Sequence, residues 1–305
     1  KMQRKARAVP KLLVTGSNGQ VGFELRRSLA PLGEVIALDR AGCDLSQPDA
    51  LRRVVREHCP DVIVNPAAYT AVDKAESDVE TAFAVNCAAA GVLAEEARAL
   101  GSLMVHYSTD YVFDGTKAGA YAEADATNPQ SIYGKSKLAG EQAIAASGAT
   151  ALVLRTCWVA GAHGGNFAKT MLKLGRERDS LRVIADQFGA PTTAALIADV
   201  TAQIIARYWL SADRSAFPGG VYHLAAAGET TWHGYATEVL RYAAVCGVAL
   251  KVDPETITAI PATEYPLPAP RPANSRLDTT KLRETFDVHL PDWRQGVRFL
   301  LDQIL

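Results

Sequence analysis

The sequence predicts an α/β fold with a Rossmann-type, doubly wound parallel sheet and a smaller C-terminal lobe. Short apolar runs alternate with amphipathic helical stretches through the first half of the 305 residues. This alternation is typical of a parallel sheet covered by helices on both faces. A glycine-rich turn follows the first apolar run, and beyond about Val159 the alternation loosens, which indicates the start of the second lobe.

Apolar runs of four to six residues predict the strands in chain order. They cover residues 11–15, 34–38, 61–65, 103–108, 151–155, 181–184 and 221–224. Helices are predicted where apolar residues recur three and four positions apart, as Val21, Leu25 and Leu29 do. These stretches cover residues 21–32, 48–58, 79–86, 88–100, 166–178, 194–209, 232–245 and 293–304, and one more helix begins near Pro129. Residues 261–272 contain five prolines and are predicted to be irregular.

Composition and charge exclude several classes of protein. The formal net charge of -1 gives no general attraction to nucleic acid or to anionic membranes. No apolar run reaches the roughly 18 residues of a membrane span. The five cysteines and six histidines are scattered without metal-ligand spacing. We therefore expect no metal cluster, no disulfide framework and a reducing, cytoplasmic location.

Gly16, Gly19 and Gly22 occupy the turn between the first strand and the first helix. Glycine there lets backbone N–H groups approach a pyrophosphate, and the helix N-terminus adds partial positive charge. The spacing is G-x-x-G-x-x-G rather than G-x-G-x-x-G, but the physical role is the same. A glycine-rich turn without a ligand is the alternative; the strand before it and the helix after it favour a dinucleotide site.

The residues after the second and third strands extend this predicted site. Asp39 lies about 20 residues after the turn, where an acid would bind the adenosine ribose hydroxyls of NAD. Arg40 would accept the 2′-phosphate of NADP, so we expect either NADPH or NADH to be accepted. Asp44 and Leu45 are expected to edge the adenine. The small residues of segment 65–69 would let the backbone approach the cofactor closely.

Tyr133 and Lys137 are i and i+4 in the helix that begins near Pro129, so they project from the same face. A nearby positive charge favours the phenolate and lowers the pKa of tyrosine from about 10. The pair therefore predicts a proton donor that works near neutral pH. The same spacing also occurs in an ordinary helix start with a half-buried tyrosine and a solvated lysine, and the pair by itself leaves both interpretations open.

Thr109 is a third candidate residue, and it carries a hydroxyl 24 residues before Tyr133. It follows the fourth strand, at the carboxyl edge of the sheet where ligands bind in open α/β folds. With these features the chain resembles the extended short-chain dehydrogenase/reductase superfamily, from about Lys11 to the final helix. The motifs that carry the resemblance are NPAAYTAVDKAE (65–76), STDYVF (108–113), YGKSK (133–137), RTCWV (155–159), NFAKTML (166–172), DQFGAPT (186–192) and RPANSRL (271–277).

The resemblance implies reduction of the C4 ketone of a nucleotide sugar, dTDP-4-dehydro-L-rhamnose, to dTDP-L-rhamnose. Tyr133 would protonate the developing alkoxide as a general acid. Lys137 would lower the pKa of Tyr133 and hydrogen-bond the nicotinamide ribose. Thr109 would hydrogen-bond the substrate oxygen where negative charge develops. The implied catalytic residues are Thr109, Tyr133 and Lys137.

The resemblance also implies two sets of binding residues. The cofactor-binding set is Gly16, Asn18, Gly19, Gln20, Val21, Gly22, Asp39, Arg40, Asp44, Leu45, Ala67, Ala68, Tyr69, Tyr107, Tyr133 and Lys137. The substrate-binding set is Thr70, Thr109, Asp110, Tyr111, Trp158, Asn166, Lys169, Arg271 and Arg276. Trp158 would offer a flat apolar wall, although a core or interface tryptophan is an equal alternative. Four members of the set are candidates to hold the diphosphate: Asn166, Lys169, Arg271 and Arg276. Arginines on a surface, however, are usually only solvated.

The predicted division of the chain follows from these motifs. Residues 1–10 are expected to be a tail, and their basic start lacks the apolar core of a secretory signal. Residues 11–160 with roughly 194–226 would form the dinucleotide-binding domain, and residues 161–193 and 227–305 the substrate-binding lobe. We expect a monomer or a homodimer. Some relatives link a dimer through Mg²⁺ and glutamates, one of them in the helix after G-A-P-T. That helix opens here with Thr193-Ala194-Ala195, so the Mg²⁺ is doubtful.

Two other functions remain as alternatives. Nucleotide-sugar 4,6-dehydratases and 4-epimerases use the same Tyr/Lys pair. Dehydratases place Asp then Glu directly after the triad threonine, whereas here Tyr111 follows Asp110, which argues against dehydration. The other alternative is a non-catalytic regulatory subunit with this fold. The presence of Thr109, Tyr133 and Lys137 together argues against that role.

Overall fold

A six-stranded parallel sheet organises the structure, a computed structural model that describes residues 8–305. Most of the predicted tail at residues 1–10 therefore lies outside the described residues. The strands are β1 (Lys11–Val14), β2 (Glu34–Ala37), β3 (Val62–Asn65), β4 (Leu103–Thr109), β5 (Ala151–Thr156), β6 (Val159–Ala160), β7 (Arg182–Ile184), β8 (Phe188–Gly189), β9 (Thr192–Thr193), β10 (Gly220–His223), β11 (Thr230–Thr231) and β12 (Thr258–Ile260).

Helices connect these strands. They are α1 (Gln20–Ser28), α2 (Pro48–His58), α3 (Val72–Ala75), α4 (Val79–Phe83), α5 (Ala89–Leu100), α6 (Ile132–Ser147), α7 (Phe167–Glu177), α8 (Ala194–Ile204), α9 (Trp232–Val245), α10 (Thr280–Phe286) and α11 (Trp293–Ile304). A π-helical turn at Ala84–Ala88 joins α4 to α5, and another at Ile205–Leu210 extends α8. The helix predicted over residues 194–209 is therefore α-helical only to Ile204.

The main sheet has the strand order β2-β1-β3-β4-β5-β10, and each neighbouring pair is parallel. This confirms the predicted Rossmann-type sheet, including the return of β10 after the chain has entered the second lobe. Because the strands are parallel, their carboxyl ends lie along one edge. The segments that begin at Gly16, Asp110 and Cys157 leave the sheet at this edge.

Alternating side chains of the strands pack into a helical layer on each face. Leu12 and Val14 of β1 lie in a core with α1 and α8, whereas Leu13 lies in a second core with α2, α5 and Ile144 of α6. Period-two alternation within each strand is the physical reason that one sheet builds two cores. Among the described residues no helix is long and apolar enough to cross a membrane.

The second lobe has its own apolar core among α7, α9 and α11, which includes Tyr235 and Trp293. Short strand pairs, β6 with β9, β7 with β12 and β8 with β11, frame it. Helix α10 departs from the predicted division, because Leu282 and Phe286 pack into the core of the main sheet. The Phe286 ring contacts Tyr222 of β10 at a centroid distance of 4.9 Å. Residues 227–305 thus do not all belong to one lobe.

Candidate active site

The glycine-rich turn leaves β1 with backbone geometry that only glycine suits. Gly16 has a φ of +55°, in the left-handed region. A Cβ on Gly22 would lie 2.0 Å from the Gly16 carbonyl oxygen, so the first turn of α1 packs directly on the loop. No side chain within residues 8–305 caps the N-terminus of α1 at Gly19. Its N–H groups are therefore available to a phosphate, and the cradle fits a dinucleotide.

Asp39 and Arg40 lie beyond the end of β2, beside this turn. Asp39 accepts hydrogen bonds from the backbone N–H of Gly42 at 3.1 Å and from the Asn18 side chain at 3.3 Å. Arg40 is exposed. The Ser46 hydrogen bonds lower the pKa of Asp44, and Arg40 lowers it further. Asp39 thus lies within reach of the glycine-rich turn through Asn18, as a role in binding the ribose would require, whereas the buried Leu45 is part of the sheet core.

Hydrogen bonds from the Asn86 side chain hold the loop after β3 in place. Asn86 was not predicted from the sequence as a residue of the site. Its side chain accepts from the Tyr69 N–H at 2.8 Å and donates to the Tyr69 carbonyl at 3.0 Å. It also donates to Ser136 of α6 at 3.0 Å. A single buried asparagine thus joins the predicted cofactor loop, which includes Ala67 and Ala68, to the helix of Tyr133. Its position in the π-helical turn is a signal that only a structure reveals.

Helix α6 reaches the edge of the sheet because two glycines permit close packing. A Cβ on Gly134 would lie 2.3 Å from the Tyr111 carbonyl oxygen, and one on Gly140 would lie 2.1 Å from the Asn86 carbonyl oxygen. The Ser131 side chain caps α6 by accepting from the Gly134 N–H at 3.1 Å. The close approach sets the Tyr133 ring edge-on to Tyr111, with centroids 5.3 Å apart.

Tyr133 is half-buried, and burial raises its pKa to about 12. A hydrogen bond with the Thr109 side chain acts in the opposite direction, while the Asp110 charge raises the pKa further. The predicted lowering by Lys137 is not the dominant effect, because removing the phenol from water penalises the phenolate more strongly. The structure therefore keeps the Tyr133 proton in place, beside the Thr109 hydroxyl.

Lys137 is buried, and its ammonium donates to the Tyr107 carbonyl at 2.5 Å. Burial lowers the Lys137 pKa to about 8, and the Glu141 carboxylate one turn further along α6 acts against this. The solvated lysine of the alternative interpretation is thus not observed. Tyr107 contributes only its backbone carbonyl to this part of the described structure. Its phenol lies on the other face of the sheet, 2.7 Å from the Thr201 hydroxyl.

Asp110 adds a buried carboxyl group to the site. Burial raises its pKa to about 7, against hydrogen bonds from Ser275 and Thr109 that lower it. Its Oδ2 has no hydrogen-bond partner in the part of the chain that the structure describes. Ser275 belongs to the RPANSRL motif, so this contact brings the second lobe onto the end of β4. Ser275 is a residue of the site that was not predicted from the sequence, although its motif was.

A loop of the second lobe also folds over the glycine-rich turn. Gln20 accepts from the Gly161 N–H at 2.8 Å and from the Asn166 side chain at 3.2 Å. Asn166 in addition caps α7 by accepting from the Lys169 N–H at 3.2 Å. The Lys169 ammonium donates to the Gly164 carbonyl at 2.7 Å. Asn166 and Lys169 thus lie beside the turn of α1, not at a site separate from it.

The two arginines predicted to hold the diphosphate already have protein partners. Arg271 makes a bidentate contact with Asp73, with both N–O distances at 2.8 Å. Arg276 donates to Asn274 at 2.8 Å and lies 3.3 Å from Glu229. Burial raises the pKa of Tyr111, and the charge of the nearby Arg271 acts against this rise. A phosphate at either arginine would have to compete with these partners.

Trp158 and Thr70 complete the predicted substrate set. Trp158 is half-buried just after β5, and its indole stacks on Trp232 with centroids 3.8 Å apart. Thr70 is exposed at the end of the loop after β3. Across residues 8–305 no group of three or more His, Cys, Asp or Glu side chains is placed to hold a metal ion.

The sheet, the glycine-rich turn and the positions of Thr109, Tyr133 and Lys137 are those of the extended short-chain dehydrogenase/reductase class. Within that class, the chain belongs to the family described as RmlD substrate binding domain, whose model matches residues 10–305. This match confirms the resemblance seen in the sequence motifs.

Individual relatives match over almost the whole chain. The chain is 51% identical over 296 residues to the dTDP-4-dehydrorhamnose reductase of Burkholderia thailandensis, covering 97% of this chain and 99% of that protein. It is 48% identical to the dTDP-4-dehydrorhamnose reductase of Salmonella typhimurium, with 96% and 97% covered. The crystal structure of the Bacillus anthracis dTDP-4-dehydrorhamnose reductase in complex with NADP matches with a TM-score of 0.87 at 31% identity, covering 97% of this chain and 99% of that one.

Proposed function

We propose that this chain reduces the C4 ketone of dTDP-4-dehydro-L-rhamnose to dTDP-L-rhamnose, with NADPH or NADH as the reductant. The observation that carries the proposal is the position of Tyr133 beside Thr109, at the sheet edge next to the glycine-rich turn. The relatives named above, at 48% to 51% identity, support the choice of substrate. The Bacillus anthracis complex supports a nicotinamide cofactor.

The chain offers a fitting site for the cofactor. Gly16 and Gly22 let the turn pack closely against the loop after β3 and the start of α1, and no side chain among residues 8–305 caps the first turn of α1, so its N–H groups would bind the pyrophosphate. Arg40 and Asp39 would hold the 2′-phosphate or the ribose hydroxyls, and Lys137 the nicotinamide ribose. When bound, the reduced nicotinamide supplies the hydride for C4 of the sugar.

The chain's own residues then manage the charge that develops on the substrate oxygen. Thr109 donates a hydrogen bond to that oxygen, which stabilises negative charge in a partly dry site. Tyr133 transfers its phenolic proton to the oxygen, because an alkoxide is a stronger base than a phenolate even when burial has raised the Tyr133 pKa. The Lys137 ammonium, held by the Tyr107 carbonyl, stabilises the resulting phenolate.

The substrate side of the site is proposed from Asp110, Tyr111, Trp158 and Arg271. Asp110 offers a buried carboxyl oxygen that lacks a partner among the described residues. The absence of a second acid after Asp110 supports reduction over dehydration. We further propose that the protein is a monomer or a homodimer. We also propose a cytoplasmic location, because the cysteines are unpaired in the described structure, which suits a reducing compartment.

The purified protein, incubated alone with NADPH and dTDP-4-dehydro-L-rhamnose, should oxidise NADPH in step with the appearance of dTDP-L-rhamnose. Absorbance of NADPH and chromatography of the nucleotide sugar measure the two changes. Cofactor binding without turnover would instead support the regulatory-subunit alternative and overturn the proposal. Conversion of a nucleotide sugar that still carries its C4 hydroxyl, without oxidation of NADPH, would instead indicate an epimerase or a dehydratase.

A further inference from the structure

Trp158 adopts a backbone conformation that a bulky side chain rarely takes. Its φ is +46°, in the left-handed region that favours glycine. Such conformations persist only where surrounding contacts hold them, and they cluster at functional sites. Trp158 follows β5 at the ligand-binding edge of the sheet. Its backbone is held on one side, where the Thr192 N–H donates to the Trp158 carbonyl at 3.1 Å.

Two residues far along the chain fix the indole of Trp158. The Trp232 ring stacks on it with centroids 3.8 Å apart and planes 20° from parallel. Gly189 lies against the ring, since a Cβ added there would be 2.6 Å from Cε2 and 2.8 Å from Cζ2 of Trp158. The φ of Gly189 is not in the left-handed region. The ring contact, and not the backbone conformation, is therefore what requires glycine at this position.

Trp232 is itself held in place. Its indole N–H donates to the side-chain oxygen of the buried Gln187 at 3.1 Å. Its ring also contacts Phe167 at a centroid distance of 4.8 Å. Gln187 and Gly189 both belong to the DQFGAPT segment, so one short segment positions both groups that meet Trp158. The Trp158 indole is thus held in one orientation by Trp232 and Gly189, although Trp158 remains half-buried.

We propose that Trp232 and Gly189 are positioning residues that hold Trp158 as a fixed wall for the nucleotide sugar. The inference rests on the proposed function, because it takes Trp158 to contact that substrate. A rigid aromatic wall lowers the entropic cost of binding, since the ring does not have to be ordered when the sugar arrives. Loss of the stack should therefore weaken substrate binding and leave the proton transfer at Tyr133 unchanged.

Three variants test the proposal against one matched control. Trp232→Leu removes the stack, Trp232→Phe keeps an aromatic ring, and Gly189→Ala pushes the indole aside. Gly119→Ala is the control, because a Cβ there meets no atom within 4 Å and the φ is not left-handed. We expect KM for the nucleotide sugar to rise on the order of tenfold in Trp232→Leu and Gly189→Ala. Trp232→Phe should recover most of the loss, and kcat and the Kd for NADPH should stay near their original values.

A second readout does not depend on the reaction. Two stacked indoles couple their transitions, so the protein should show an exciton couplet in circular dichroism. The couplet should vanish in both Trp232 variants, change in Gly189→Ala and persist in Gly119→Ala. A lack of turnover by the unaltered protein would count against the proposed function. Normal turnover combined with an unchanged KM in both Trp232→Leu and Gly189→Ala would overturn the positioning role itself, whatever the couplet shows.

Discussion

The sheet lobe and the C-terminal lobe bring polar side chains to the same site in different states of bonding. In the sheet lobe, Asp110 Oδ2 is buried without a partner among the described residues, and the Tyr133 phenol lies beside the Thr109 hydroxyl. In the C-terminal lobe, Arg271 is engaged by Asp73 and Arg276 by Glu229. The sheet lobe thus has groups free for chemistry, whereas the two arginines proposed to hold the diphosphate would have to exchange one partner for another. We expect changes in the first group to alter kcat and changes in the second to alter KM.

The largest effect is expected from Tyr133→Phe. The change keeps the ring and removes the proton donor, so kcat should fall about 10²- to 10⁴-fold, the range of general acid catalysis. The Kd for NADPH should stay nearly unchanged, as measured by titration. Tyr208→Phe is the control, because Tyr208 packs on Phe286 away from the site. Turnover retained by Tyr133→Phe would mean that another group donates the proton. The assignment of kcat effects to this group of the sheet lobe would then be wrong.

The pH dependence should reveal the buried lysine of the same lobe. Because burial lowers the Lys137 pKa to about 8, the ammonium loses its proton as the pH rises through that value. We expect kcat/KM to be level below about pH 8 and to fall up to tenfold per pH unit above it. Lys135 is exposed on the same helix, so Lys135→Met should leave this limb unchanged. A profile that stays level to about pH 10 would show that a charged Lys137 is not needed.

A smaller effect, on KM, is expected in the C-terminal lobe. Arg271→Ala removes a charge-assisted contact to the diphosphate, so KM for the nucleotide sugar should rise about tenfold or more while kcat changes little. Asp73→Asn should lower KM for the nucleotide sugar, since it weakens the contact that holds Arg271 away from the phosphate. Arg298→Ala, which breaks a 2.7 Å contact with Glu238 in the same lobe, serves as the control. An unchanged KM in Arg271→Ala would indicate that Arg271 only ties its segment to α3.

Elements in both lobes could be predicted where their signals are local. The helix over residues 48–58 and the terminal helix over residues 293–304 have the predicted bounds. The short strands β8, β9, β11 and β12 were not predicted, because two or three residues are too few to show alternation. Helix α10 could not be assigned to the sheet lobe in advance, since Leu282 and Phe286 do not reveal which apolar core they join.

The sequence by itself determined the alternation of strands and helices in the first half, the glycine-rich turn and the spacing of Thr109, Tyr133 and Lys137. These features depend on residues close together in the chain, where periodicity and glycine placement act directly. Tertiary structure alone decided that the Tyr133 pKa is raised, because folding buries the phenol. It also decided that Arg271 pairs with Asp73 and that Trp158 rests on Trp232. Burial and charge pairing depend on groups that are distant in the chain, so folding has to bring them together before their effect exists.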